Sequence, residues 1–314
     1  MNGTMIKQTR IILNSICRKS GRSGRTLIWV SLTAIGLTLA GCASPPAVTP
    51  PPAKNSPRLG LALGGGAARG FAHVGVIQVL EEAGIKPDLV VGTSAGSLVA
   101  SFYASGKKGA QLQQVAETME EAAFTDWTLP IFSRGVLRGE ALARYVNAQV
   151  GGRLMEDMPL PLGIVATDLN SGQGVLFRRG DTGTAVRASS AVPAVFEPVR
   201  ISGRDYVDGG LVSPVPVRYA RQMGADLVLA VDISSAPEGN PADGSLQILL
   251  QTFAIMGKSI NSFELREADL VVRPALVGVK SADFAARRQA IAAGRVAMQQ
   301  ALPQLRRPLA AQAL

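Results

Sequence analysis

A serine flanked by two glycines is the strongest chemical feature of this sequence. Ser94 stands in Gly92-Thr93-Ser94-Ala95-Gly96, after an apolar run at 88–91 and before a second one at 98–103. In this pattern a strained strand-to-helix turn lifts the serine hydroxyl above a sheet, and the glycines avoid collisions with the adjoining strand and helix. The pattern predicts a nucleophile at Ser94. Glycine, serine and alanine are common residues, so a tight turn without chemistry is the alternative.

A glycine-rich loop, GGGAARG at 64–70, precedes this serine by about one strand and one helix. It lacks the Gly-Lys-Ser/Thr ending of a P-loop, and Gly-x-Gly-x-x-Gly fails in both registers because Arg69 and Ala67 occupy glycine positions. Backbone N–H groups at a helix N-terminus can instead stabilise an oxyanion. An oxyanion hole and a plain tight turn are therefore the two interpretations. Arg69 would either fix the loop or neutralise a phosphate head group.

The serine needs a base, and the sequence offers few candidates. His73 is the single histidine, but it lies one turn into the helix after the loop, where a packed histidine is the alternative interpretation. Asp208 ends an apolar run and is followed by Gly209-Gly210, which places a carboxylate at a turn and makes it the better candidate. Such a base must be partly desolvated to be effective. Asp168 and Asp232 also end predicted strands and are interpreted as a turn former and a strand-end cap.

The composition is that of a globular protein. The chain has 314 residues, of which 47% are hydrophobic and 18% charged. Two cysteines, Cys17 and Cys42, rule out a disulfide scaffold and a cysteine-rich zinc site, and one histidine rules out a histidine-rich metal centre. No metal site and no cofactor are expected.

The net charge of +9 is concentrated in the first 41 residues. This stretch holds six basic residues and no acid; without it, 26 basic residues face 23 acidic ones. The remaining arginines are scattered, so nucleic acid is not expected as a partner.

The same stretch has the pattern of a secretory leader. Basic residues end at Arg25, an apolar run at 27–40 is too short for a spanning helix, and Leu39-Ala40-Gly41-Cys42 resembles a bacterial lipobox. An uncleaved signal anchor is the alternative. The resemblance implies lipidation of Cys42 and anchoring to the bacterial envelope, with the periplasmic side of the outer membrane favoured. The predicted domains are a signal peptide at 1–41, a lipidated, Pro-rich tether at 42–57 and a catalytic domain at 58–314.

Alternating apolar runs predict a three-layer α/β/α fold with a mostly parallel sheet and ligands beyond the carboxyl ends of its strands. Predicted strands cover 59–63, 88–91, 162–167, 173–177, 199–207, 227–232 and 270–272. Beyond the helices that follow the glycine loop and Ser94, predicted helices cover about 109–123, 139–150, 182–190, 214–223, 245–266 and 283–303.

Three blocks in this order resemble the bacterial branch of the patatin-like phospholipases: the loop at 64–70, the elbow at 92–96 and the Asp-Gly-Gly at 208–210. The stretches ATDLNSGQGVLF (166–177), RASSAVPAVFEPV (187–199) and YVDGGLVSPVPV (206–217) are similar as well. The resemblance covers about residues 58–275. It implies a Ser94–Asp208 dyad, an oxyanion hole in the glycine loop and ester hydrolysis without metal. One departure is Ala67, where bacterial members often carry glycine; we expect it to donate its N–H with a negative φ.

The resulting hypothesis is a lipid acyl hydrolase acting on a membrane lipid or lysolipid. Ser94 attacks, Asp208 accepts its proton, and amides of Gly65, Gly66 and Ala67 stabilise the oxyanion before water releases a fatty acid. Gly64, Arg69, Gly70, Gly92, Gly96, Gly209 and Gly210 support this site. The alternatives are an acyltransferase on the same dyad and a non-catalytic lipid-binding lipoprotein. The oligomeric state is open.

Three further segments have sequence-based expectations. Residues 124–132 form either an interfacial loop or ordinary packing. The apolar helix at 246–263 either covers the site, pairs subunits or is buried in the core, and burial is favoured. Residues 283–303 are expected to form a surface helix.

Overall fold

A computed structural model describes residues 57–120, 126, 134–237, 243–280 and 282–311. The predictions for the leader, for Cys42 and for nearly all of the tether therefore fall outside the described residues. The same holds for 124–132 except Asp126, which caps a helix: its carboxylate accepts the N–H groups of Gly139 and Ala141.

The centre of the fold is an eight-stranded sheet. The strands of the chain are β1 Leu59–Leu63, β2 Leu89–Thr93, β3 Gly135–Leu137, β4 Leu162–Asp168, β5 Gly174–Phe177, β6 Ala194–Phe196, β7 Val199–Ile201, β8 Arg204–Asp208, β9 Leu227–Val231 and β10 Leu270–Val272. The order in the sheet is β10-β9-β1-β2-β4-β8-β7, and β5 pairs with the other edge of β4. From β10 to β4 all neighbours are parallel, whereas β5, β7 and β8 run antiparallel to their neighbours.

Helices cover both faces of this sheet. They are α1 Phe71–Glu82, α2 Ala95–Ala104, α3 Gly109–Thr118, α4 Glu140–Gln149, α5 Thr182–Ser189, α6 Val217–Gln222, α7 Ser245–Glu264 and α8 Arg287–Ala311. Leu59, Leu61 and Leu63 of β1 point into a core shared with α1, α2 and α8, while the intervening Ala62 joins a second core with α6. Because successive side chains of a strand alternate between faces, the apolar β1 fills both layers. The predicted three-layer α/β/α fold with a mostly parallel sheet is confirmed.

The predicted strands correspond closely to the observed ones, with one exception. The run 199–207 is a hairpin, β7 and β8, because Ser202 and Gly203 adopt φ values of +48° and +83° and turn the chain. The small parallel sheet of β3 and β6 has no counterpart in the prediction.

The C-terminal segment is a helix at the surface, as predicted, with one side exposed. Its other side is buried in the main core through Ala290, Ile291, Met298 and Leu305 of α8. Gly75 of α1 and Gly294 of α8 let these two helices touch, since a Cβ atom on either would collide with the backbone of the other helix. The composition alone did not predict this close packing against α1.

The favoured burial of the helix at 246–263 is wrong. Of the residues of α7, Asn261 and Glu264 are buried, and several large apolar side chains are exposed. The helix lies at the periphery, against the 3-10 segments Gly209–Leu211 and Leu265–Glu267. Neither α7 nor any other described helix is both long enough and apolar enough to cross a membrane.

Candidate active site

Ser94 occupies the turn between β2 and α2, with φ of +51° and ψ of −123°. Gly92 and Gly96 make this turn sterically possible: a Cβ at Gly92 would collide with the backbone of Gly96, and one at Gly96 with the carbonyl of Leu63. The turn is therefore the strained strand-to-helix geometry that presents a side chain above the sheet. The predicted turn chemistry accounts for both glycines.

Strand β4 brings the serine and Asp208 together. Thr93, the last residue of β2, pairs with Val165, and Asp208, the last residue of β8, pairs with Ala166. Because β5 occupies the opposite edge of β4, the parallel β2 and the antiparallel β8 share one edge and end head to head there. Gly209 permits the approach, since a Cβ there would collide with the Val165 carbonyl.

The Asp208 carboxylate is buried and has a raised pKa. Its Oδ1 accepts the Gly210 N–H at 2.7 Å. Burial raises the pKa of Asp208 to about 6, against the opposing effect of hydrogen bonds from the Ser94 hydroxyl and the Gly210 N–H. Oδ2 has no well-aligned hydrogen bond to any described residue. In enzymes that use such a pair, the hydrogen bond between the serine and the carboxylate is often poorly aligned before substrate binds and shortens afterwards.

The glycine loop offers two backbone donors rather than three. The Gly65 N–H donates to the Pro214 carbonyl at 2.9 Å, so the expected role of Gly65 as an oxyanion donor is wrong for this geometry. Among the described residues, nothing accepts the N–H of Gly66 or of Ala67. Both residues line a cavity together with Ser94. The loop can therefore direct two free amides toward an oxyanion.

Ala67 departs from the expected backbone conformation. Its φ is +49°, not negative. A left-handed conformation costs a residue with a Cβ about 1–2 kcal/mol relative to its usual conformation. This cost explains why glycine would suit the position, while the N–H of Ala67 remains available.

His73 is a packed histidine that supports the loop. Its side chain is fully buried, and its Nε2 donates to the Gly64 carbonyl at 2.8 Å. Burial lowers the pKa of His73 to about 4, so the ring is neutral at pH 7. With Nε2 occupied in this way, His73 is not oriented as the base for Ser94.

Arg69 links the glycine loop to the segment at 234–235. Its guanidinium donates to the Ser235 hydroxyl at 2.6 Å and to the Ser234 carbonyl at 2.8 Å. Of the two roles considered for Arg69, these bonds favour loop fixation. Gly70 leaves room for the first residue of α2, since a Cβ there would lie 2.9 Å from that of Ala95.

The other two strand-end aspartates have the structural roles expected of them. Asp168 accepts the N–H groups of Asn170 and Ser171 and pairs with Arg204 at 3.0 Å. Asp232 accepts the Ser234 N–H at 3.1 Å and pairs with Arg273.

Two cavities lined by described residues meet at Ser94. The first, about 310 Å³, is almost entirely apolar and runs between α1, α2 and α3. Its wall includes Phe71, Val74, Phe102, Leu112, Met119, Leu142, Phe196 and Phe284. The second, about 390 Å³, contains Asp208, Gly66 and Ser234 and is bounded by α7 through residues such as Leu250 and Lys258. An acyl chain fits the chemistry of the first cavity, and a more polar group fits the second.

The residues that hold Ser94 in place through hydrogen bonds were not predicted from the sequence. The Ser94 N–H donates to the Ser189 hydroxyl at 2.8 Å, and Ser189 in turn donates to the Val165 carbonyl. Thr93 donates to the Ser213 carbonyl at 2.9 Å. Ser189 lies in a stretch that resembles the family, but the sequence does not show which groups the hydroxyl of a serine in a helix will contact.

The chain is similar in sequence to several known proteins. A profile of the patatin-like phospholipase family matches residues 61–221, slightly more than half of the chain, which includes the glycine loop, Ser94 and Asp208. An uncharacterized NTE family protein of Mycobacterium tuberculosis is 35% identical over 209 residues, 66% of this chain and 58% of that protein. Patatin-like phospholipase domain-containing protein 6 of Homo sapiens is 34% identical over 188 residues, 57% of this chain and 14% of that protein.

The crystal structure of VipD from Legionella pneumophila matches with a TM-score of 0.55 at 15% identity, over 79% of this chain and 67% of that chain. At this identity the likeness concerns the fold. The matched part of the chain spans less than two thirds of the two relatives' own lengths. The extent of the profile match, together with an elbow serine beside a buried aspartate, makes this chain a member of the patatin-like phospholipase family.

Proposed function

We propose that the protein is a serine lipid acyl hydrolase that cleaves fatty-acyl esters of a membrane lipid or lysolipid. One observation carries the proposal: Ser94 and the buried Asp208 stand at adjacent positions beside β4 and line one cavity with the glycine loop, and an apolar cavity also opens at Ser94. An ester hydrolase needs a nucleophile, a base, an oxyanion site and room for the acyl chain. In this proposal the four are Ser94, Asp208, the amides of the glycine loop and the first cavity.

In the proposed mechanism Asp208 accepts the Ser94 proton while the serine oxygen attacks the acyl carbonyl. The N–H groups of Gly66 and Ala67 stabilise the oxyanion. The tetrahedral intermediate expels the alcohol, which takes the proton from Asp208 and leaves acyl-Ser94. Water then gives a proton to Asp208 and attacks the acyl group. The proton returns to Ser94 as the fatty acid leaves.

Desolvation makes a carboxylate suitable for this role. A solvated aspartate holds a proton too weakly to take one from a serine, and burial that raises the pKa of Asp208 to about 6 brings it near neutral pH. An acyl chain in the apolar first cavity, which Ser94 lines, would exclude water from beside the serine.

The test is hydrolysis of p-nitrophenyl esters and phospholipids by the purified full chain. Removing the nucleophile in Ser94→Ala or the base in Asp208→Asn should lower kcat at least about 10³-fold, as is usual when one member of a catalytic unit is removed. His73→Gln should keep most of the activity if it folds, because the Nε2 of His73 bonds the Gly64 carbonyl and not the Ser94 hydroxyl.

Thermal unfolding of each variant serves as the folding control. A fluorophosphonate probe that labels the wild type but not Ser94→Ala would identify the nucleophile directly. Full activity in folded Asp208→Asn would contradict the dyad. Hydrolysis that an added alcohol diverts into a new ester would indicate an acyltransferase instead.

We further propose that the enzyme works at the bacterial envelope, anchored through a lipidated Cys42. The lipobox-like Leu39-Ala40-Gly41-Cys42 after an apolar run supports this. Such an anchor would hold the catalytic domain close to its lipid substrate.

A further inference from the structure

Helix α7 buries two polar side chains and exposes several large apolar ones. The two buried residues of α7 are polar: Asn261 donates to the Ser234 hydroxyl at 2.9 Å, and Glu264 accepts from the Ser213 hydroxyl at 2.6 Å. Ser234 lies in the loop that Arg69 ties to the glycine loop. The C-terminal end of α7 is thus fastened to the walls of the candidate active site.

The outer side of α7 is an apolar stripe. Ile248, Ile255, Met256 and Phe263 are 54%, 54%, 49% and 65% exposed. Their spacings of seven, one and seven residues place all four on one side of the helix. Exposed serine and threonine side chains lie between them on the same side. A cluster of exposed apolar groups is typical of a surface that another apolar phase covers.

The inner side of the same helix bounds the second cavity. Leu250, Phe253 and Gly257 line it opposite Ser94 and Asp208. The stripe and the entrance to the candidate site therefore belong to one element, so whatever covers the stripe lies beside the entrance.

The charges beside the stripe are two cations, and an exposed acid, Asp243, lies just before the helix. Along α7 the charged residues are Lys258, which is exposed, and Glu264, which is buried. The guanidinium of Arg266 lies 5.3 Å from the centre of the Phe263 ring, and the next acid along the chain, Glu267, follows the helix. Lysine and arginine beside apolar side chains are the composition of a helix that lies on an anionic lipid surface.

We propose that the apolar stripe of α7 docks on an anionic phospholipid bilayer and brings the second cavity to the lipid surface. The inference rests on the proposed function, since a lipid substrate must pass from a bilayer into the site. Docking buries Ile255 and Phe263 at the level of the head groups while Lys258 and Arg266 meet phosphate. The substrate then enters along the inner side of the same helix.

A local probe separates this docking from any other membrane anchor. In full-chain protein with Cys17→Ser and Cys42→Ser, a cysteine introduced by Ile255→Cys carries an environment-sensitive fluorophore. Phosphatidylglycerol vesicles should shift its emission to the blue, and phosphatidylcholine vesicles should shift it less. The matched control is Val296→Cys on α8, which is 53% exposed and should not respond. No response at 255, or equal responses at both positions, would overturn the proposal.

Two other occupants of the stripe predict different signals. A second copy of the chain would shift the emission with protein concentration before vesicles are added. A segment of the chain itself would give a blue-shifted emission that neither dilution nor vesicles change. Either result overturns lipid docking.

Activity gives the second readout. The double variant Ile255→Asp, Phe263→Asp should reduce hydrolysis of vesicle phospholipid about tenfold or more. It removes two apolar side chains that docking would bury in the bilayer. Its hydrolysis of a monomeric short-chain ester should match the wild type, as should that of Val296→Asp on both substrates. If the wild type hydrolyses neither substrate while the label still responds, the proposed function fails and docking stands. Equal losses on both substrates would overturn docking.

Discussion

Ser94 combines a reactive position with an unfavourable backbone. Its φ of +51° with ψ of −123° is a sparsely populated conformation for a residue with a Cβ, and such conformations cost about 1–3 kcal/mol. The surrounding contacts maintain it, including the Ser94 N–H bond to Ser189 and the Ser97 N–H bond to the Ser94 carbonyl. Stability is therefore given up locally at the residue proposed to react.

We predict that Ser94→Gly is more stable than Ser94→Ala. Both variants lack the hydroxyl, but glycine adopts a positive φ without strain, which outweighs its larger entropy in the unfolded chain. The free energy of unfolding from urea titration should be about 1 kcal/mol higher for Ser94→Gly. Equal values would mean that the turn is unstrained.

The raised pKa of Asp208 predicts the pH dependence of the activity. The base must be a carboxylate, so kcat/KM should rise with pH, bend near the pKa of about 6 and stay level above it. A pH–rate profile on a monomeric ester measures this. A bend near 4 would show that Asp208 is solvated in the working enzyme.

The raised pKa of Asp208 also predicts that the folded protein loses stability as the pH rises. Asp208 holds its proton more tightly when folded than its ordinary value of 3.8 implies, so stability is lost as pH rises from about 4 through about 6. At 1.36 kcal/mol per pKa unit the loss above pH 6 is about 3 kcal/mol. Asp208→Asn should therefore be more stable than the wild type at pH 8 and show no such gain at pH 4. Denaturant titrations at the two pH values check this.

At the scale of elements, the crossing of α1 and α8 depends on two glycines. Gly75 and Gly294 each face the backbone of the other helix, with no space for a Cβ. An added methyl must push the helices apart, which outweighs the roughly 1 kcal/mol that alanine gains over glycine in a helix.

We predict that Gly294→Ala lowers the free energy of unfolding by about 2 kcal/mol. In Gly257→Ala on α7 the new methyl meets only the Pro214 side chain, at 3.5 Å, so this variant should be neutral or stabilised. Chemical denaturation of both variants provides the comparison. A neutral Gly294→Ala would show that α8 does not pack tightly on α1.

The elements differ in how far they could be predicted. Buried strands such as β1 and β9 are continuous apolar runs and were found within a residue of their observed ends. The three-residue strands β3 and β6 were missed, since so short a segment has no periodicity of its own. Burial of helices was predicted least well, because the sequence does not show which side of a helix finds a partner: α7 exposes large apolar side chains, and one side of α8 is buried against α1.

At the scale of the whole molecule, the net charge is uneven. The six basic residues of 1–41 account for most of the excess, and the rest of the chain is nearly balanced. A basic stretch, an apolar run and Cys42 in that order are typical of an exported lipoprotein.

We predict that Cys42→Ser abolishes acylation of the chain when it is expressed in a bacterium that processes lipoproteins. Loss of several acyl chains should move the protein from the membrane to the soluble fraction, apart from any residual binding through α7. Incorporation of labelled palmitate and fractionation check this. Labelling that persists in Cys42→Ser would place the lipid elsewhere.

The local features on which the proposed chemistry rests can be read from the residues alone: a serine in a strained turn, an aspartate that ends a strand before two glycines, and a glycine-rich loop with backbone amides. These are local properties, because turn geometry follows from neighbouring residues. The close approach of Ser94 and Asp208 follows from the fold. They stand at the ends of strands that run in opposite directions and end at adjacent positions, Val165 and Ala166, on one edge of β4. The bond from the Gly65 N–H to the Pro214 carbonyl also depends on the fold, since packing sets hydrogen-bond partners that are distant in the chain.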